Sequence, residues 1–150
     1  MRAYFNRIYN PLYDLTTART GAYRRFQDRC LKELELSPGD KVLCIGVGTG
    51  NEILHIKASC TGLHLYGIDT STNGLLRARS RARLEHAARM DAHRLAFGNA
   101  SFDKIFCHHV MGFLQDDRKA TVEAMRVLKP GGQFVITYPA AAGEIGRAHV

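Results

Sequence analysis

Three glycines at alternate positions, Gly46, Gly48 and Gly50, follow the short apolar run Val42-Leu43-Cys44-Ile45. Such a turn lets the main chain approach a ligand with no Cβ in the way, and a helix opening just behind it, near Asn51, adds N–H groups that have no partner in the helix. The chemistry on offer is a backbone cradle for electronegative ligand atoms. An ordinary turn between a strand and a helix would carry the same glycines, so the pattern alone does not decide. Asp69 lies roughly twenty residues past the glycines, at the end of the apolar run Leu63 to Ile68, where a nucleotide-binding α/β unit keeps an acid for ribose hydroxyls. Its two oxygens offer acceptors side by side. The competing reading is an acid opening a helix, since the cap residues Thr70 and Ser71 follow it. His109 is the imidazole best placed to serve as an acid or base near neutral pH, and packing at a strand end is the alternative.

These residues need elements to position them. Val42–Ile45, bounded by Pro38-Gly39-Asp40 and by the glycines, reads as a strand buried on both faces. A helix then runs from Asn51 until Gly62 ends it, Leu63–Asp69 is a second strand, and Thr72–Arg83 a strong helix. Leu84–Met90 reads as a short edge strand, although Ala87, Ala88 and Arg89 suit a helix. Ser101–Val110 is the fourth strand and Thr121–Leu128 a helix, after which Lys129-Pro130-Gly131-Gly132 turns the chain into a fifth strand. Ahead of all this, Met1–Leu36 has the spacing of two amphipathic helices separated at Pro11.

Five stretches carry a family resemblance. Val-Leu-Cys-Ile-Gly-Val-Gly-Thr-Gly resembles the first motif of the class I S-adenosylmethionine-dependent methyltransferases, Val-Leu-Asp/Glu-x-Gly-x-Gly-Thr-Gly. Tyr66–Ser71 is similar to the second motif, and Met90–Phe97 to the Asp-Ala-x-x-Leu-Pro-Phe stretch. Ser101-Phe102-Asp103 and Leu128–Gly132 match the lead into the fourth strand and the turn into the fifth. The resemblance covers Lys41–Tyr138 and, more weakly, the N-terminal helices, where Tyr9 and Tyr13 either cover the ligand or pack on the sheet. It implies an α/β Rossmann-like fold: a parallel sheet of order 3-2-1-4-5, helices on both faces, a helical lid over residues 1–36 and a cofactor-binding core over 37–138. It further implies S-adenosylmethionine as cofactor, held by Gly46, Val47, Gly48 and Gly50, by Asp69 and Thr70 at the ribose, by Asp91 and Ala92 at the adenine edge, and by His108 at the methionine end. The implied reaction moves a methyl group to a small-molecule acceptor, with no metal and with His109 as the candidate base.

Departures and composition shape the rest. Cys44 stands where the family has an acid, so Cys44→Asp is expected to strengthen cofactor binding, and Ala96 stands where Pro is usual. The family's C-terminal hairpin is missing, and Glu144–Val150 resembles the translation of a sequencing-adapter oligonucleotide. Residues 139–150 are therefore expected outside any fold, leaving Phe134–Tyr138 as an unpaired edge open to self-association. In 150 residues, 45% hydrophobic and 23% charged, there is material for one globular domain. Without an apolar run near the roughly 18 residues of a membrane span, a cytoplasmic protein is expected. The four cysteines include no Cys-x-x-Cys pair and have no partnering His at metal spacing, and they read as structural thiols. Net charge is +7, much of it from Arg77, Arg79, Arg81, Arg83 and Arg89, which read as a solvated face or as a nucleic-acid contact. The rival functions are thus an RNA methyltransferase, a nicotinamide-binding oxidoreductase domain, and a non-catalytic cofactor-binding fragment.

Overall fold

Alternation along β1 (Lys41–Ile45) sets the architecture. Val42 and Cys44 enter one apolar layer, Leu43 and Ile45 the other. Successive side chains of a strand point to opposite faces, so a strand buried on both must have helices on each side. The structure, a computed structural model, describes residues 21–137 and 145–149. Tyr9, Tyr13 and the expected first helix lie outside the described residues.

The first layer holds α1 (Gly21–Glu33), α2 (Asn51–Ser59) and α3 (Thr72–Ala82), with Cys30, Leu31, Ile53, Ile56, Leu75 and Ala78 packed inward. The second is built on α4 (Asp117–Val127), through Ala120, Ala124 and Val127. Between them β1, β2 (His64–Asp69), β3 (His86–Arg89), β4 (Phe102–His108) and β5 (Leu128–Thr137) run parallel in the expected order, β3-β2-β1-β4-β5. The order reverses between β1 and β4, the place outside the carboxyl ends where such sheets bind ligands.

Two elements differ from expectation. α4 begins a turn earlier than Thr121, because Asp116 caps it by accepting from Lys119 N at 2.8 Å. The larger correction concerns the tail. Ile145–His149 forms β6, antiparallel to β5 with Gln133 opposite His149 and Thr137 opposite Ile145. The edge from Phe134 to Thr137 is thus paired, because its free N–H and C=O groups are met by those of β6.

The cysteines are all free, and Cys30, Cys44 and Cys107 are buried. Burial pushes the Cys30 thiol up to about 11 and that of Cys107 to about 12, so both stay neutral. Among the described residues no helix is long and apolar enough to cross a membrane.

Contacts at its two ends orient α1. Beyond its last turn, Glu35 accepts at 2.9 Å from Nε2 of Gln133, the β5 residue paired with Lys104 in the first half of β4. In its second turn Phe26 lies 5.9 Å, ring centre to ring centre, from both His108 and His109 at the carboxyl end of β4. The helix therefore runs against the strands, with its N-terminal half over their carboxyl edge.

Candidate functional site

The glycine loop is tied down on its sheet side, where Gly46 N and Val47 N both donate to Ile68 O, at 2.8 and 3.1 Å. Gly46 has φ 74°, and a Cβ there would lie 2.1 Å from Val110 Cγ2, so no side chain fits. Gly48, at φ 48°, is the opposite case: a Cβ would meet nothing within 4 Å among the described residues. Among the described residues, the main chain at Gly48 is supported on one side and uncovered on the other. Support comes from Gly74 in the first turn of α3, where a Cβ would come within 2.8 Å of Gly48 O. Val47 is buried in the core, and Gly50 opens α2 in a left-handed conformation.

Asp69 joins this loop to the next helix. Its Oδ2 accepts from Gly48 N at 2.8 Å and its Oδ1 from Ser71 N at 2.7 Å. Ser71 Oγ in turn accepts from Gly74 N, capping α3. Burial is the main influence on the half-buried carboxyl and raises its pKa, opposed by the Ser71 and Gly48 N–H groups. Each carboxylate oxygen still has a lone pair for a hydroxyl. Thr70, the next residue, is exposed.

One strand over, Met90 N donates to Asp69 O at 3.1 Å and brings the 91–99 loop alongside. Asp91, with a side chain 63% exposed, accepts from His93 N at 2.9 Å and lies 2.6 Å from His93 Nδ1. Those contacts, led by the backbone N–H, hold its carboxyl below the usual range. His93 Nε2 accepts from Asp116 N, which leaves the ring proton on Nδ1, facing Asp91. Ala92 is buried beneath the loop.

The loop's anchor is a pair on α4. Arg126 donates through Nη2 to Leu95 O and through Nη1 to Phe97 O and Asn99 Oδ1, each at 2.9 Å. Glu123 accepts from Leu95 N at 2.8 Å and forms a two-pronged ion pair with Arg126. A Glu and an Arg three residues apart on a helix read from sequence as a surface pair, so nothing there signals that they hold a loop.

On the other side of β1, His108 ends β4. It is 6% exposed, with Nδ1 2.8 Å from Thr137 Oγ1. Its ring stacks on that of His109 at 4.1 Å. Burial, with His109 and His55 nearby, lowers the His108 pKa to about 3, and burial lowers that of His109 as well. Both imidazoles are therefore neutral at pH 7. His109 has φ 54°, uncommon for a side-chain-bearing residue, and its N–H donates to Thr137 O and Oγ1.

The structure thus brings Gly48, Asp69 and Ser71 into direct contact, sets Asp91 and Ala92 beside them, and places His108 and His109 across β1. Cys44 takes no part. It is 3% exposed in the apolar layer, where burial first and then the Glu52 carboxylate hold the thiol neutral. Cys44→Asp, expected to strengthen binding, would instead set a charge among apolar side chains facing another acid.

Residues 43–136 match the family described as methyltransferase domain. The chain is 34% identical over 108 residues to phosphoethanolamine N-methyltransferase 2 of Caenorhabditis elegans, a match covering 69% of this chain and 24% of that protein. It is 33% identical over 121 residues to methyltransferase GfsG of Streptomyces halstedii, covering 77% and 43%. Among solved structures it resembles Haemonchus contortus phosphoethanolamine N-methyltransferase 2 in complex with S-adenosyl-L-methionine, with a TM-score of 0.78 and 27% identity over 91% of this chain and 35% of that one. The chain therefore spans less than half the length of these relatives.

Proposed function

The chain belongs to the methyltransferase-domain family, and from that premise we propose that it transfers the methyl group of S-adenosylmethionine to a small-molecule acceptor. The observation that carries this reading is the meeting of the Gly48 N–H with the Asp69 carboxylate at the sheet's switch point, with no described residue against the outer side of Gly48. A nucleoside fits these donors and acceptors: Asp69 has lone pairs for two ribose hydroxyls, and Asp91 with the Ala92 N–H offers an acceptor and a donor to a base edge.

When bound, S-adenosylmethionine supplies a methyl group on a positively charged sulfur, open to in-line displacement. The chain's own part is to hold and align the partners and to exclude water. His109 is the candidate base, since an imidazole kept neutral by burial can take a proton from an acceptor hydroxyl or amine. Residues 1–36, including Tyr9 and Tyr13, act as the lid in this reading, and α1 already lies over the carboxyl edge.

Arg77, Arg79, Arg81, Arg83 and Arg89 are all exposed, which favours RNA as a second class of acceptor. The small molecule comes first because the relatives include phosphoethanolamine N-methyltransferase 2, named for a small-molecule acceptor. Calorimetric titration with S-adenosylhomocysteine and with NAD tests the cofactor. S-adenosylhomocysteine is expected to bind more tightly, and equal or tighter binding of NAD would overturn the assignment in favour of a nicotinamide-binding domain.

A further inference from the structure

Gln27 of α1 is 2% exposed, and neither its amide nitrogen nor its amide oxygen has a hydrogen-bond partner among the described residues. Buried amides are nearly always bonded, so an unpartnered one calls for an explanation. Helical spacing sets Gln27 on the face that carries Cys30, Leu31 and Leu34 into the core. Its neighbour Phe26 lies against His108 and His109, which places Gln27 at the carboxyl edge of the sheet near the end of β4.

The other ligand-facing groups occupy the same edge in the order of the strands. Asp91 follows β3, Asp69 ends β2, and the glycine loop follows β1; the next strand is β4. A nucleoside thioether with its base near Asp91 and its ribose near Asp69 extends its remaining end, the amino-acid group, toward β4. That end carries a carboxylate and an ammonium side by side, and a carboxamide carries a donor and an acceptor side by side.

We propose that the Gln27 carboxamide binds the amino-acid end of S-adenosylmethionine and sets the site's preference for ligands that carry it. The inference rests on the methyltransferase reading above. A neutral amide serves both charges at once, whereas a lysine or a glutamate would serve one and repel the other. Among the described residues the apo protein leaves this interior amide unsatisfied, and the ligand supplies the missing partners.

The test uses the full 150-residue chain and two ligands, S-adenosylhomocysteine and 5′-methylthioadenosine, which lacks the amino-acid end. In Gln27→Met the apo melting temperature is expected to hold or rise, because an unpartnered amide is removed. Affinity for S-adenosylhomocysteine should fall about tenfold while that for methylthioadenosine stays within about twofold, the loss of roughly one hydrogen-bonded group. Gln27→Asn, with a shortened amide, should fall between parent and Gln27→Met. An unchanged ratio of the two affinities in both variants overturns the inference, and so does a lowered apo melting temperature with both ligands weakened alike, the mark of a packing role. If the parent binds neither ligand, the methyltransferase reading fails and takes this inference with it; if the parent binds both and only the ratio fails to move, that reading stands.

Discussion

Asp69 and Asp91 are the same side chain at neighbouring strand ends, yet their surroundings give them unequal weight. Asp69 is half-buried and accepts from Gly48 N and Ser71 N, so Asp69→Ala leaves two main-chain donors without a partner and the ribose hydroxyls without an acceptor. Asp91 is 63% exposed and already engaged with His93, and the Ala92 N–H survives its removal. Asp69→Ala is therefore expected to cost about 1.5–3 kcal/mol in binding S-adenosylhomocysteine, roughly tenfold or more in Kd, and Asp91→Ala less than about 1 kcal/mol. Calorimetry on both variants, once circular dichroism shows each to be folded, decides the matter, and equal losses would mean that Asp69 only braces the loop against α3.

At the scale of elements, α4 does more than cover the sheet. Glu123 and Arg126 fasten the 91–99 loop, and Asp103 at the start of β4 similarly accepts from Lys41 N and Lys129 Nζ, joining β1, β4 and the turn into β5. The Arg126 guanidinium, with the Leu95 N–H, holds the Glu123 carboxyl at about 2, below its ordinary value of 4.5. A carboxyl depressed on folding contributes stability that is present above its unfolded pKa and lost as pH falls through its folded one. The parent should therefore lose melting temperature between pH 4.5 and about 2 more steeply than Glu123→Gln, and the two curves should converge at the acid end. At pH 7 the same variant should bind S-adenosylhomocysteine more weakly, because the loop bearing Asp91 loses its anchor. Parallel melting curves across that range would show that the ion pair adds nothing to the fold.

For the molecule as a whole, the sheet's outer side is the exposed flank. Among the described residues β3 pairs only with β2, and the other margin of the sheet is β6, which covers β5 from Gln133 to Thr137. An uncovered β5 would offer a row of unpaired main-chain groups beside the buried side chains Phe134, Val135 and Ile136. A chain ended at Tyr138 is accordingly expected to self-associate with rising concentration, while the 150-residue chain does so less. Light scattering coupled to size-exclusion chromatography over a range of concentrations measures this, and identical monomer fractions would show that β6 does not guard the edge.

Much of the fold was legible in the sequence, because its signals are local. The continuous apolar run Val42–Ile45, the cap at Ser71 and the Pro130-Gly131-Gly132 turn each act within a few residues, and each element formed as those rules require. The glycine loop and Asp69 were legible for the same reason, as a turn and an acid at a strand end. What the sequence could not settle depends on residues far apart in the chain. That both Asp69 oxygens are already bonded, that Glu123 and Arg126 hold a loop 28 and 31 residues away, and that Cys44 faces an apolar layer all follow from how helices pack on the sheet. The expectation for the tail failed on the same ground, since strand pairing depends on the free edge it meets as much as on its own residues. Gln27 reads from sequence as one more polar residue of an amphipathic helix; only the packing of α1 over the carboxyl edge reveals it as a buried amide without a partner among the described residues.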